Sequence, residues 1–205
     1  MRNCKLVAVA LAAGTLALAG VAVPAAAAAE GTIKGTVTAG PSPGTSLANA
    51  VVMVDTPSAP VAADAPHARM EQRDDTFVPH VLAVPVGTVV DFPNRDPHHH
   101  NVRSTSPAKP FDLGMYGEGE SKNVAFDRPG VVEIRCNAHP QMEAYVVVHD
   151  TPHVAITDAR GGYTITGVPS GRYRFRVWHE SHEQHEGWVI VPDGGVARLD
   201  VKIEH

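Results

Sequence analysis

The sequence predicts an all-β protein, on three observations. From Thr32 onward, short β-branched runs recur between Gly, Pro, Asn and Asp. Several of these runs alternate apolar with polar residues, the period of a half-buried strand. No stretch beyond Glu30 carries the spacing of an amphipathic helix. Strands at such spacing fit a sandwich or barrel. Aromatic residues make up only 5% of the chain, so Val and Ala must supply most of the core.

In chain order the expected strands are Thr32 to Thr38, Ala50 to Asp55, Val81 to Val84, Thr88 to Phe92, Asn101 to Ser104, Lys122 to Phe126 and Val131 to Cys136. They continue with Tyr145 to His149, Tyr163 to Thr166, Tyr173 to Trp178, Trp188 to Val191 and Ala197 to Ile203. Thr56 to Ala68 is rich in Pro and Ala, and Asp150-Thr151-Pro152 breaks the pattern again. These two interruptions bracket the segment that carries the chemistry.

Residues 1–29 read as an export signal. A basic leader, Met1 to Lys5, precedes an apolar run from Leu6 to Val23 and the small residues Ala25 to Ala29. Cleavage near Ala29-Glu30 and a periplasmic or secreted destination follow. A retained anchor is the competing reading, and nothing after Glu30 offers another apolar span. Without Arg2 and Lys5, 15 Lys and Arg face 22 Asp and Glu, a balance of −7. With no basic stretch, nucleic acid is not an expected partner. Cys136 is then the sole cysteine, so no internal disulfide forms. A lone thiol in an oxidising compartment calls for a ligand or deep burial.

Cys136-Asn137-Ala138-His139-Pro140-Gln141-Met142 sets a thiolate, an imidazole and a thioether within seven residues. Soft sulfur with borderline nitrogen suits copper, and two His, one Cys and a weak axial Met make up the type 1 set. Val132, Ile134 and Cys136 share an apolar face that turns Cys136 inward, while Glu133 and Arg135 face the other way. The fourth ligand must come from His98-His99-His100. Strand parity favours His100, which shares a face with Val102 and Ser104, over His99; His98 has the same parity but sits farther out, next to Pro97. The expected ligands are therefore His100, Cys136, His139 and Met142, holding one type 1 copper, with Met115 as the rival axial donor. Taken singly, Cys136, His139 and Met142 also read as a buried thiol, a loop histidine and a core filler. Zinc takes Cys and His too, but a thioether suits copper better.

His100-Asn101-Val102 followed by Cys136-x-x-His139-Pro140-x-Met142 resembles the cupredoxin family, amicyanin and plastocyanin-like members above all. Phe77-x-Pro79, Gly87-Thr88-x-Val90-x-Phe92-x-Asn94-x-Asp96 and Phe126-x-x-Pro129-Gly130 add to the resemblance, which covers roughly Met70 to His149. It implies a Greek-key β-sandwich and a non-enzymatic electron carrier working between a redox donor and acceptor that the sequence does not identify. It also implies that Asn101 tethers the two ligand loops. The edge of His139 would then emerge through an apolar patch near Pro140, Met115 and Tyr116.

Thr157-Asp158-x-x-Gly161-Gly162-Tyr163-x-Ile165-x-Gly167-Val168-Pro169-x-Gly171-x-Tyr173 resembles the carboxypeptidase regulatory-like, or transthyretin-like, sandwich, a non-catalytic module. Its usual opening strands resemble Gly31 to Val37 and Ala50 to Val54, which precede the copper segment. The expected arrangement is thus a cupredoxin domain, 67–150, inserted into a sandwich made of 30–60 and 151–205. The alternative is a tandem arrangement in which the N-terminal strands extend the cupredoxin's own sheet. His179, His182 and His185, read as a polar loop, raise a possible second metal site against the simpler reading of a solvated loop. Besides electron transfer, two functions stay open: copper binding or storage without a redox partner, and a scaffolding role.

Overall fold

The computed structural model describes residues 29–40, 44–57 and 67–203. The apolar leader and the middle of the Pro/Ala-rich stretch lie outside the described residues. The N-terminal strands are β1 (Glu30–Ala39), β2 (Thr45–Ser46) and β3 (Val51–Asp55). Ten follow: β4 (Ala68–Arg69), β5 (Glu71–Arg73), β6 (Thr76–Val78), β7 (Val81–Pro85), β8 (Thr88–Pro93), β9 (His100–Ser104), β10 (Phe111–Tyr116), β11 (Ser121–Phe126), β12 (Gly130–Arg135) and β13 (Glu143–His149). The last are β14 (His153–Ile156), β15 (Gly162–Pro169), β16 (Gly171–His179), β17 (His182–Val191), β18 (Val196–Arg198) and β19 (Val201–Ile203). The expected all-β class is what the structure shows: among the described residues there is no helix, and so none long and apolar enough to cross a membrane.

Two sandwiches form. In the outer one, β1 pairs with β2, β15, β18 and β19, and this sheet faces a second of order β14-β3-β16-β17. Ile33, Val37, Val52, Val54, Phe175, Val177 and Val191 fill the space between them. In the middle one, a sheet of order β10-β9-β12-β13-β7 faces β11-β8-β4 across Val90, Phe92, Phe126, Val132, Ile134 and Val146. The short β5–β6 hairpin lies beside the middle sandwich, bridged to it at Gln72 and Asn94.

The two sandwiches touch through a third apolar cluster, and this contact explains two strand patterns. Val51 to Val54 in β3 are all buried, where alternation would leave every second residue exposed. Val52 and Val54 face the outer core, while Val51 and Met53 pack with Trp178 against Val81 and Val147 of the middle sandwich. β13 behaves likewise: Val146 and Val148 enter the middle core and Val147 enters the contact. A strand covered on both faces reads as a continuous apolar run.

The chain leaves the outer sandwich after β3 and returns at β14, and the two crossings lie side by side. Arg176 donates to Asp55 Oδ1 at 2.6 Å and to Asp150 Oδ1 at 3.2 Å. Thr151 Oγ1 donates to the Val54 carbonyl at 2.5 Å.

Six strands have no counterpart among the expected ones: β2, β4, β5, β6, β10 and β14. The segment between Trp178 and Trp188, read as a loop, instead extends the β16–β17 hairpin, with His179 opposite His182 and Val177 opposite His185.

Candidate metal centre

Three segments meet at one end of the middle sandwich. β9 opens on His100, whose side chain is fully buried with Val102 and Ser104, as strand parity predicts. β12 delivers Cys136 just past its end, 5% exposed beside Val132 and Ile134. The loop after Cys136 is held tight by two backbone bonds: Met142 N donates to His139 O at 2.9 Å, and Cys136 N donates to Met142 O at 3.3 Å. Met142 is fully buried in the same core cluster as Cys136. Met115, the rival axial donor, is 49% exposed on β10.

His100 Nδ1 and His139 Nδ1 lie 2.9 Å apart, and Cys136 Sγ lies 3.8 Å from His139 Nδ1. Nitrogen and sulfur donors each about 2.0–2.3 Å from one ion stand about 3–4 Å from one another. His139 Nδ1 thus stands at an ion-sharing separation from His100 Nδ1 on one side and from Cys136 Sγ on the other, and these donor types are those expected for copper.

Asp96 fixes how His100 presents itself. His100 Nε2 donates to Asp96 Oδ2 at 2.7 Å, which assigns the ring proton of the neutral imidazole to Nε2 and turns Nδ1, as an acceptor, toward His139 Nδ1. The same carboxylate accepts the amides of Asp74 at 2.7 Å and Asp75 at 3.1 Å. Burial opposes ionisation of Asp96, but the bonds from His100 and the two amides outweigh it and hold the carboxyl below its ordinary range. Asn94 braces the loop: its Nδ2 donates to His98 O at 2.8 Å and to Tyr116 O at 3.1 Å, and its Oδ1 accepts Asp96 N at 2.9 Å.

The sulfur has a partner of its own. Asn101 N donates to Cys136 Sγ at 3.4 Å, so the link between the ligand segments runs through the backbone of Asn101. Its side chain departs from the tether implied by resemblance: Asn101 Nδ2 donates to Asp112 Oδ1 on β10 at 2.7 Å. A side-chain tie comes instead from Arg103, whose Nη1 donates to Asn137 Oδ1 at 2.8 Å.

Asp75 and His98 also reach this place. His98 Nε2 lies 2.7 Å and His100 Nε2 3.8 Å from Asp75 Oδ1. Asp75, His98, His100 and His139 each offer a donor atom within 4.8 Å of the others. Sequence reasoning gave His98 the parity of His100 but set it aside as lying farther out beside Pro97, and did not consider Asp75. His98 does lie before β9 begins, yet its ring still packs against those of His100 and His139. Asp75 sits at the tip of a hairpin whose turn residues, Asp74 and Asp75, have φ of 55° and 54°. Consecutive Asp residues between two short alternating runs are the one signal that marks this hairpin.

The C-terminal histidines are arranged differently. Ser181 Oγ lies 2.9 Å from His179 Nδ1 and 2.8 Å from His182 Nδ1, and His179 Nε2 donates to Ala48 O at 3.1 Å. Both nitrogens of His179 are thus engaged.

Fold and site together define an all-β, two-sandwich protein with a His–Cys–His cluster at one sandwich end. Residues 130–204 match the family model of the carboxypeptidase regulatory-like domain. That match takes in β14 to β19 and also β12 and β13, whose partners lie in the middle sandwich. Similar solved structures include a copper-containing nitrite reductase from Thermus scotoductus SA-01, 28% identical over 45% of this chain with a TM-score of 0.40. The chain spans 25% of that reductase. A purple cupredoxin from Nitrosopumilus maritimus is 26% identical, covering 40% of this chain and 99% of its own, with a TM-score of 0.37. Amicyanin from Paracoccus versutus is 22% identical, covering 48% of this chain and 97% of its own, with a TM-score of 0.38. Both resemblances read from the sequence thus recur in the comparisons. No curated protein matches the sequence.

Proposed function

We propose that the chain is an exported type 1 copper protein that carries single electrons between a donor and an acceptor protein. His100, Cys136, His139 and Met142 hold one copper. The observation that supports this reading is the position of His139 Nδ1, 2.9 Å from His100 Nδ1 and 3.8 Å from Cys136 Sγ, with Cys136 and Met142 buried in one apolar core. Copper bound by such a set supplies a reversible one-electron couple.

The chain's own residues supply the rest. Asp96 keeps His100 in one tautomer and one orientation. Asn101 N withdraws electron density from the Cys136 sulfur, which tunes the potential. Val102, Tyr116, Ile134 and Ala144 exclude water from the inner side. His139 is partly exposed and forms the route by which an electron reaches the surface. Close packing around His100, Cys136 and Met142 limits rearrangement between the two oxidation states.

Copper reconstitution of the mature chain tests the reading. An intense visible band, lost in Cys136→Ser, together with a reversible one-electron wave is expected. Colourless, labile Cu(I) binding would move the assignment to copper storage, and failure to bind copper would leave a scaffolding role.

The domain reading belongs to the same proposal: residues 67–150 form a cupredoxin domain inserted into a carboxypeptidase regulatory-like sandwich of 30–60 and 151–205. Support comes from the pairing of β1 and β3 with β14 to β19, and from the Arg176 clamp on Asp55 and Asp150. Insertions are tolerated where the two crossings lie close at the surface. After proteolytic cuts near Ala62 and Pro152, fragments 30–60 and 151–205 should co-elute. Their separation would favour the tandem arrangement.

A further inference from the structure

We propose that Asp75, His98, His100 and His139 form a second, thiolate-free donor set at the mouth of the centre, which takes a borderline divalent cation such as Zn²⁺ or Cu²⁺. Three imidazoles and one carboxylate suit these ions, since imidazole serves zinc and copper and a carboxylate completes a four-coordinate site.

The geometry supports this beyond the residue types. The rings of His98, His100 and His139 are packed against one another, with centroid separations of 4.7, 5.3 and 4.7 Å. One donor atom from each of the four residues lies within 4.8 Å of the others, and Asp75 Oδ1 lies 2.7 Å from His98 Nε2, so its carboxylate faces the cluster. The hairpin that carries Asp75 is pinned there, because the Asp74 and Asp75 amides donate to Asp96, the residue that also holds His100. Asp75 therefore occupies a built position.

The two sets differ in depth. Side chains of His98 and Asp75 are 46% and 47% exposed, whereas His100 is fully buried. A hydrated cation arriving from solution meets oxygen and nitrogen first and sulfur only farther in. His100 and His139 belong to both sets, so the outer and inner sets compete for one ion at a time. The outer set rests on the copper reading only through these shared histidines, and it works without Cys136.

Co²⁺ separates the possibilities, because thiolate ligation gives it an ultraviolet charge-transfer band that nitrogen and oxygen donors do not. Cys136→Ala, with cooperative unfolding confirmed, should bind one Co²⁺ with visible d–d bands and no charge-transfer band. The further variant Asp75→Asn/His98→Ala on that background should weaken binding at least tenfold. No Co²⁺ bound to Cys136→Ala, or unchanged binding in the combined variant, overturns the proposal. In the otherwise unaltered chain, Asp75→Asn/His98→Ala should slow uptake of Cu²⁺ severalfold and leave the final spectrum unchanged; unchanged uptake counts against it. The electron-carrier reading fails separately, if the unaltered chain with copper shows no thiolate band.

Discussion

The two sandwiches are built from similar strands and similarly Val-rich cores, yet they spend their buried positions differently. Beside its apolar core the outer sandwich buries Thr151, Thr157 and His179 at scattered positions, and it brings backbones together where glycine permits. At Gly35 an added Cβ would stand 1.7 Å from the Leu199 carbonyl oxygen, so β1 and the segment before β19 approach too closely for any side chain. The middle sandwich instead buries Gln72, Asn94, Asp96, His100 and Asn101 toward one end. Such groups are expensive to bury unless hydrogen-bonded, and here they bond mainly to one another and to nearby backbone. The histidines sharpen the contrast. Near Cys136, two Nδ1 atoms face each other across an ion-sized separation; near Ser181, the facing nitrogens share a hydroxyl. Structural economy in one sandwich and a concentration of polar groups in the other mark which of them carries the site.

Each sandwich has its own reporter, so the contrast can be broken. Trp178 packs in the contact between the sandwiches, so a Trp178→Phe background leaves Trp188 as the fluorescent reporter of the outer sandwich, and Cys136 is the cysteine of the middle core. Gly35→Ala is expected to have the largest effect, because the clash is with backbone: a loss of about 3 kcal/mol or more in metal-free protein. It should appear first in tryptophan fluorescence during urea unfolding, with alkylation of Cys136 following at higher urea. Asp96→Ala should reverse the order. It strands His100 Nε2 and the Asp74 and Asp75 amides, at roughly 2–4 kcal/mol, and should expose Cys136 before Trp188 responds. If both reporters move together in both variants, the contact through Val51, Met53, Val81, Val147 and Trp178 joins the sandwiches into one cooperative unit, and the contrast is one of composition alone.

Much of this was legible in the residues, and what escaped has physical reasons. Alternation exposed β1, β8 and β12 directly, because each has one buried face. β10 escaped because Gly114, at φ 66°, and a register shift between Asp112 and Met115 break its period. β5 and β6 have three residues apiece, too few for a period to declare itself, and their position depends on Asp96 more than twenty residues away. From His182 to Gly187 β17 carries no large apolar residue, so pairing with β16 defines it where an apolar period does not. At the candidate site, Cys136, His139 and Met142 stand out in the sequence because one short loop carries them. Asp75 does not, since a hairpin folded back onto a distant loop brings it there.

A smaller effect sharpens the comparison at the seam between the sandwiches. His149 ends β13 at the return crossing, 9% exposed, and its Nδ1 donates to Thr151 O at 2.7 Å. Burial lowers its pKa below 6.5, against a weaker opposing pull from the Thr151 carbonyl; His153 shifts the same way, chiefly through burial. Above the unfolded value, near pH 6.5, both are neutral in either state and cost nothing. As pH falls below that value the unfolded chain takes up protons that the folded chain resists, so stability declines toward the folded pKa of each. One such proton is worth at most about 1.4 kcal/mol per pH unit. Urea midpoints of metal-free protein should therefore drop between pH 7.5 and 5.5, and His149→Gln, which retains a donor for the Thr151 carbonyl, should flatten that drop. A drop of unchanged slope in His149→Gln would show that the seam does not govern acid stability in this range, and would place the responsible groups inside one sandwich or the other.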